Sequence, residues 1–513
     1  MPSAGPSPQP KIRSLDDLAQ LTAEYKAAGK RVVHCHGVFD LVHIGHLRHF
    51  QAARKFGDVL IVTLTPDKWV NKGPHRPAFE QKLRLEMLAG FDCIDYVGLN
   101  EWPTAIETVK KLKPTYFVKG SEFTDRSTDV TGAVAQEEAA VKSVGGELVF
   151  TDDITFSSSN LINRFMPQFA PATSEYLANF SGRYKPEDVL GYIEKAVSLR
   201  VLTIGETIID EYNYCETLGK SGKEPILAVR LVSSESFPGG ILAVANHVAS
   251  FTENVGMVSM LGDAAPMAEF VNGALRPCVK PTFFSMRGAP TIVKKRYIES
   301  YPFQKMFEVY LMNEDQDAAA NSERFCSHLR KVLPDYDVVI VTDYGHGLID
   351  EAVVDVLCKE AKCLCINTQA NAGNYGFNTV SKYPRADYIC VSEKELRLEA
   401  RTRQKDLKLL MEKQAEQHGC RRMLITRGEK GAMCWGRGEG FAEVPALAGH
   451  FTDRVGAGDA VFAVTSLCLP QQAPAEVLGL IGNAAGAMAV GTIGNRVPIE
   501  RTPLLRFLIS LFK

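Results

Sequence analysis

No apolar run in this chain approaches the roughly 18–20 residues that a membrane-crossing helix needs, so a membrane partner is not expected. Nor is there an excess of charge of either sign. Lys plus Arg number 58 against 60 Asp plus Glu, a formal net charge of −2, which leaves no electrostatic footprint for nucleic acid. The 12 cysteines contain no Cys-x-x-Cys pair, and Cys363 and Cys365 alternate within an apolar strand-like run. They read as core thiols in a reducing compartment, and the expected location is cytoplasmic. No self-similar segment recurs at solenoid periods. The opening MPSAGPSPQP lacks the basic and apolar regions of a secretory signal and is expected to be a loose tail. What is present is 513 residues, 45% hydrophobic and 23% charged, a globular composition too long for one ordinary core.

Short apolar runs alternate with helix-like segments through residues 31–162: RVVHCHG, DVLIVTLTP, DYVGL, TYFVKG and ELVFTDD. Such alternation predicts a parallel α/β sheet. Residues 163–184 break the rhythm, and a second α/β series begins at RVLTIGETIIDEY and continues through YDVVIVTDYGHG, CLCINTQ, ADYICVSEKE and RMLITRGEKG. The expected boundaries are a tail and lead-in over 1–28, a first domain over 29–165, joining helices over 166–198 and a second domain over 199–513.

In the first domain the string Gly37-Val-Phe39-Asp40-Leu-Val-His43-Ile-Gly-His46 follows an apolar strand and opens a helix-like stretch. Two histidines three apart at a helix start share a face, beside backbone N–H groups that favour anions. Imidazoles added there suit a triphosphate whose α-phosphorus is under attack, where preplaced donors meet the growing charge. A zinc pair would look alike, but no nearby Cys or His cluster offers the third and fourth ligands. Lys72-Gly73 follows the second strand, Arg84 comes before the third, and Lys119-Gly120 ends a later one. Phe156-Ser157-Ser158-Ser159 precedes Asn160-Leu161-Ile162; alone it would be a helix cap.

The second anchor is Asp453-Arg-Val-Gly456-Ala457-Gly458-Asp459. Its glycines let the backbone approach a phosphate, the helix that follows points its N-terminus there, and Asp459 stands where a hydroxyl could surrender its proton. Thr426-Arg-Gly428-Glu-Lys-Gly431 follows a strand and fits a nucleotide loop. Gly239-Gly240 precedes Ala243, Ala245 and Asn246; Asp210 lies just past a strand's apolar end; Asn483 lies in a small-residue helix.

From Val32 to Ile162 these motifs resemble the small nucleotidylyltransferases of the glycerol-3-phosphate cytidylyltransferase and heptose-phosphate adenylyltransferase group. The resemblance implies that Gly37, Phe39, Asp40, His43 and His46 hold the nucleoside triphosphate. It also implies that Lys72, Arg84 and Lys119-Gly120 meet its phosphates, and that Ser157, Ser158 and Ser159 donate to them. His43, His46 and Lys72 would carry the catalysis. From about Arg200 onward the chain resembles the ribokinase (PfkB) sugar kinases, with Asp459 as catalytic base. There Thr426, Gly428, Gly431, Gly456, Ala457, Gly458 and Asn483 would hold ATP, and Asp210, Gly239, Gly240, Asn246 and Asp459 the sugar. Glu395 would serve magnesium indirectly. The expected architecture is a Rossmann-like nucleotidylyltransferase domain followed by a ribokinase-like α/β domain.

Taken together, the two resemblances imply a bifunctional enzyme of nucleotide-sugar synthesis, with Mg²⁺, ATP and a second NTP (ATP or CTP). Its partners would be nucleotides and sugar or sugar-phosphate substrates, and it would be a homodimer. An alternative has a CDP-sugar or CDP-polyol as product, with the second half acting on another sugar or as a regulatory nucleotide-binding module. Departures lie in the second half. Asn367-Thr368-Gln369 stands where heptose kinases have an Asp-Pro-Lys-like segment, Ser392 where an Asn precedes Glu395, and Arg454 where Thr is common. The kinase half also follows the transferase half, the reverse of the usual bifunctional order.

Overall fold

The computed structural model describes residues 11–70, 77–120, 133–151, 169–301, 303–312, 319–374, 376–449 and 451–512. The chain forms two compact units, one built on Met1–Gln168 and the other on Phe169–Leu508.

The first unit holds the strands β1 (Ile12–Arg13), β2 (Val32–Gly37), β3 (Val59–Leu64), β4 (Tyr96–Leu99), β5 (Tyr116–Gly120) and β6 (Glu147–Thr151). All pair in parallel, in the order β1-β4-β3-β2-β5-β6. Parallel strands covered on both faces read as near-continuous apolar runs, which is why these were legible; Val32, Val33, Leu60, Ile61 and Val62 are buried. Strand order reverses between β2 and β5, and open parallel sheets bind ligands at the carboxyl ends beside such a reversal. The histidine string leaves β2 and Lys119-Gly120 ends β5, so topology brings both to that crevice.

The lead-in differs from the boundary expected at residue 28. β1 pairs with β4, Ile12 opposite Val97, and the helix Leu15–Ala27 follows. Ser14 caps that helix by accepting from Asp17 N at 3.1 Å, while Asp17 accepts from Ser14 N at 3.3 Å. Leu15 and Leu18 are buried with Val32, Val59 and Ile61, so this segment belongs to the core. A capping box is worth about 1 kcal/mol, and two buried leucines considerably more.

The second unit is organised on a nine-stranded sheet. Its strands are β7 (Val201–Gly205), β10 (Val255–Gly262), β11 (Val279–Met286), β14 (Val338–Asp343), β15 (Leu364–Thr368), β16 (Tyr388–Ser392), β17 (Arg422–Thr426), β18 (Ala432–Gly436) and β19 (Gly440–Val444). The order is β11-β10-β7-β14-β15-β16-β17-β18-β19, parallel up to β17 and antiparallel beyond. A second, four-stranded sheet, in the order β13-β12-β8-β9, is formed by β8 (Thr207–Lys220), β9 (Leu227–Gly240), β12 (Ile292–Glu299) and β13 (Gln304–Leu311). Its register sets Lys294 opposite Asp210 and Ile292 opposite Ile208.

The segment expected to be a joint packs into this unit. Its helices Pro171–Ser181 and Pro186–Glu194 bury Leu177, Phe180, Val189, Leu190 and Ile193. Arg183 also makes a two-pronged ion pair with Glu476, both contacts 2.6 Å. All 12 cysteines are free thiols. Among the described residues no helix is long and apolar enough to cross a membrane.

Candidate functional sites

At the crevice of the first unit the helix Ile44–Arg54 starts from an extended His43. Gly45 N donates to His43 Nδ1 at 3.1 Å, and His43 N donates to His46 Nδ1 at 3.3 Å. The two rings lie 4.1 Å apart between centroids. Two orphan amides of the helix start are therefore satisfied by imidazoles instead of being left for a ligand. An Nδ1 that accepts leaves a neutral ring's proton on Nε2. Burial holds His43 below the usual histidine range, favouring the neutral form. The expectation of an open amide nest is thus corrected: two of its N–H groups are taken by the imidazoles.

The residues around the string build the turn. Phe39 takes a left-handed φ of 48°, and its ring packs against His46 and Phe50. A Cβ on Gly37 would lie 2.8 Å from that ring, so only glycine fits. Asp40 is fully buried and accepts from Ala78 N at 2.5 Å.

Two basic residues expected on phosphates are occupied elsewhere. Arg84 is fully buried and donates to Phe79 O at 2.9 Å, Val38 O at 2.5 Å, Thr65 O at 3.1 Å and Asp67 Oδ1 at 2.5 Å. It ties three loops together and has no face left for pyrophosphate. Lys119 is ion-paired with Glu137, which neutralises much of the charge it was expected to offer. Gly120 closes β5 opposite Thr151. Lys72, Ser157, Ser158 and Ser159 lie outside the described residues. Sequence reasoning passed over a buried polar chain: His34 Nε2 and His36 Nδ1 meet Thr63 Oγ1 at 2.7 and 2.8 Å, and His36 Nε2 meets Thr65 Oγ1 at 3.1 Å. Burial first, and Lys119 second, hold His36 down at about 3. Two histidines alternating in a strand, His34-Cys-His36, were the signal available.

The second site is a cavity of about 370 Å³ lined by 18 residues, among them Asp210, Gly240, Thr426, Gly456, Gly458 and Asp459. Asp459 lies in the first turn of the helix Ala457–Ser466. That helix starts at Gly456, whose φ is 80° and whose Cβ would lie 2.0 Å from Asn495 Oδ1. Glycine is obligatory there. Tyr344 OH donates to Asp459 Oδ1 at 3.0 Å and Gln369 Nε2 to the same oxygen at 2.6 Å. Burial, and after it the charge of Asp210, pushes the Asp459 carboxyl up to about 7, against the pull of those donors and of Lys294. A carboxyl held there can take up or release a proton near neutrality.

At the opposite wall Asp210 is ion-paired with Arg296. A Cβ on Gly239 would lie 2.4 Å from Asp210 Oδ2, and Gly240 turns the chain with φ 55° into the helix Ile241–Val248. Lys294 and Arg296 were not foreseen. They alternate along β12, both buried and both lining the cavity, and Val293-Lys-Lys-Arg296 was their only trace in the sequence.

Other expected residues fall outside this cavity. Asn246 donates from Nδ2 to Ala274 O at 2.8 Å and accepts at Oδ1 from Arg276 N at 3.0 Å, tying down the segment before β11. Asn483 donates to Gly479 O of its own helix at 3.0 Å. Gly431, with φ 81°, is required by a turn where a Cβ would strike Val444 O. Gly428 lines a neighbouring basic cleft that shares Ser392 and Thr426 with the cavity. Glu395 does line the cavity, but it accepts from Ser392 N at 2.7 Å and Ala370 N at 3.0 Å, so it first caps a helix and holds a loop.

Comparison with known proteins assigns classes to both units. Residues 34–165 match the cytidylyltransferase-like family and residues 311–502 the pfkB family carbohydrate kinases. The chain therefore combines a nucleotidyltransferase-family domain with a sugar kinase-family domain. In its N-terminal half it is 40% identical over 164 residues to the bifunctional protein HldE of Geobacter sulfurreducens, which covers 31% of this chain and 32% of that protein. It is 38% identical over 164 residues to HldE of Trichlorobacter lovleyi, with the same coverage. The chain thus spans about a third of the length of these relatives, and the order of the two modules is reversed. Among solved structures, Escherichia coli phosphofructokinase-2 in complex with potassium matches 61% of this chain and 100% of its own, at 16% identity and a TM-score of 0.48.

Proposed function

We propose that the protein is a bifunctional enzyme of nucleotide-sugar synthesis. The kinase unit phosphorylates a heptose-like sugar or sugar phosphate with ATP. The transferase unit joins an NTP to a sugar 1-phosphate, giving an ADP-heptose-like product and pyrophosphate. The observation that carries this reading is the second cavity, where a carboxylate near neutrality sits at a glycine-flanked helix start facing Asp210.

In the kinase unit Asp210 orients the acceptor, and Asp459 takes the proton of the hydroxyl that attacks the γ-phosphorus. Amides after Gly456 meet the transferring charge. Lys294 and Arg296 at the acceptor wall support an anionic sugar. The acceptors near the phosphate end fit the water shell of a nucleotide-bound magnesium: Asn367 Oδ1 is buried without a hydrogen-bond partner, and Glu395 keeps spare lone pairs. Magnesium would supply charge neutralisation on the phosphates.

In the transferase unit no protein nucleophile is needed. The sugar-phosphate oxygen attacks the α-phosphorus while the Nε2–H groups of His43 and His46 meet the charge that develops, and Lys72 is the basic group assigned to the leaving pyrophosphate. Exposed Leu231, Val232, Phe307 and Val309 on the small sheet support a homodimer. The test is a panel of ATP, CTP, GTP and UTP crossed with heptose, hexose and pentose 1-phosphates, read by pyrophosphate release. A parallel ATP-consumption panel uses free sugars and sugar phosphates. Turnover of CTP instead of ATP would replace the ADP product by a CDP-sugar, and ATP binding without consumption would reduce the kinase unit to a regulatory module.

A further inference from the structure

The segment Asn367-Thr368-Gln369, which replaces the charged residue of the heptose kinases, is built into the second cavity with unusual care. Gln369 N donates to Asp343 O at 2.9 Å, and Ala370 N donates to Glu395 Oε1 at 3.0 Å. Asn374 Nδ2 donates to Gln369 O at 3.0 Å and also to Tyr344 O, and Asn371 Nδ2 donates to Tyr344 O at 2.7 Å. The two asparagines thus fasten the loop after β15 to the loop after β14. Gly345 permits this: with φ 71°, its Cβ would lie 2.4 Å from Asn374 Nδ2. The side chains these loops hold rigid are Tyr344 and Gln369, and both donate to Asp459 Oδ1. No hydrogen bond from the described residues falls on Oδ2.

We propose that Gln369 and Tyr344 are positioning residues that clamp one oxygen of Asp459 and so present the other to the acceptor hydroxyl. This rests on the kinase reading above. Two donors on one oxygen stop the carboxylate from rotating and stabilise its ionised form. That second effect matters because burial alone would keep the base protonated at neutral pH. The other charged or titratable groups that line the cavity around Asp459 are Asp210 from β8, Lys294 and Arg296 from β12, the Cys390 thiol of β16, which burial keeps protonated, Glu395 after β16 and Arg454 before the loop. Of these, Asp210 works against ionisation and Lys294 in favour of it. A neutral amide in place of a lysine therefore keeps the donor function while leaving the net charge of the cavity lower.

The experiment compares kinase kcat/KM against pH for the wild-type full chain, Gln369→Leu, Gln369→Glu, Gln369→Lys and Tyr344→Phe. Losing the amide donor should move the acid limb up by about one pH unit, close to tenfold less activity below pH 7, with most of the rate recovered at pH 9. Gln369→Glu should move it further, through like charge, and Gln369→Lys should restore it. Tyr344→Phe should move it at least as far, its hydroxyl being the stronger of the two donors holding the carboxyl down. An unmoved limb in Gln369→Leu, or a loss equal at every pH, would overturn the clamp. The same displacement is read without turnover by ¹³C-carboxylate titration of Asp-labelled protein, with Asp459→Asn identifying the signal. If the wild type phosphorylates no acceptor, the kinase reading fails, and that titration still decides the clamp.

Discussion

Replacing Asp459 by Asn should destroy phosphorylation and at the same time stabilise the kinase unit. The carboxyl is pushed from an ordinary 3.8 to about 7, chiefly by burial. A folded-state value above the unfolded one means that folding favours the protonated form. Asp459 therefore costs nothing below pH 3.8, becomes progressively unfavourable as pH rises from there to about 7, and carries its full cost above. A gap of about 3 pH units at about 1.4 kcal/mol each bounds that cost near 4 kcal/mol, and relaxation around the variant brings the expected gain to roughly 2–4 kcal/mol at pH 8. Asn keeps the shape, and its carbonyl oxygen can still accept from Tyr344 and Gln369, so the neutral variant avoids the penalty without opening a cavity. Thermal unfolding of wild type and variant across pH 4–9 should give curves that coincide near pH 4, separate up to about pH 7 and then run parallel. Phosphorylation should fall by at least about 10²-fold, with nucleotidyl transfer unchanged. A stability difference that is absent at pH 8 or constant with pH would refute the buried, ionising base; loss of both activities would refute two separate sites.

Removing a transition-state donor with His46→Ala should cost nucleotidyl transfer about 10²-fold or more and leave ATP-dependent phosphorylation unchanged, measured by pyrophosphate release and ADP formation on one preparation. Arg84→Met should act on stability: four acceptors lose a fully buried donor, and denaturant unfolding of the first unit should show a loss of about 2–4 kcal/mol. A stable variant with weakened pyrophosphate inhibition would instead return Arg84 to the phosphate site. Gly456→Ala should abolish phosphorylation, because the new methyl meets Asn495 while the left-handed backbone alone costs about 1–2 kcal/mol. Near-normal kcat would show that this turn does not shape the anion site.

Much of this molecule could be read before folding it. Strands buried on both faces announce themselves as apolar runs, and β2 to β6, β7 and β14 to β17 lie where the runs predicted them. The histidine string and the Gly456–Asp459 turn were legible because each is local: a few neighbouring residues at a strand-to-helix junction make the whole geometry. The four-stranded sheet was not, since β9 and β13 are largely exposed and polar residues such as Asp210, Lys294 and Arg296 interrupt the buried parts of β8 and β12. The lead-in helix was missed although Ser14 and Asp17 spell its capping box.

The sequence by itself determined which chemistries the chain holds, because loop–helix turns are encoded by contiguous residues whose steric demands, such as those of Gly37 against Phe39 and of Gly456, admit few alternatives. Only the tertiary structure decided which charges are available to that chemistry. Arg84 and Lys119 look like phosphate ligands in one dimension and are consumed by partners from elsewhere in the chain. Gln369 looks like a lost cation and is a hydrogen-bond donor to a carboxylate 90 residues away. The physical reason is that a side chain's charge is spent on whichever neighbour folding delivers, and long-range neighbours leave no local mark on the sequence.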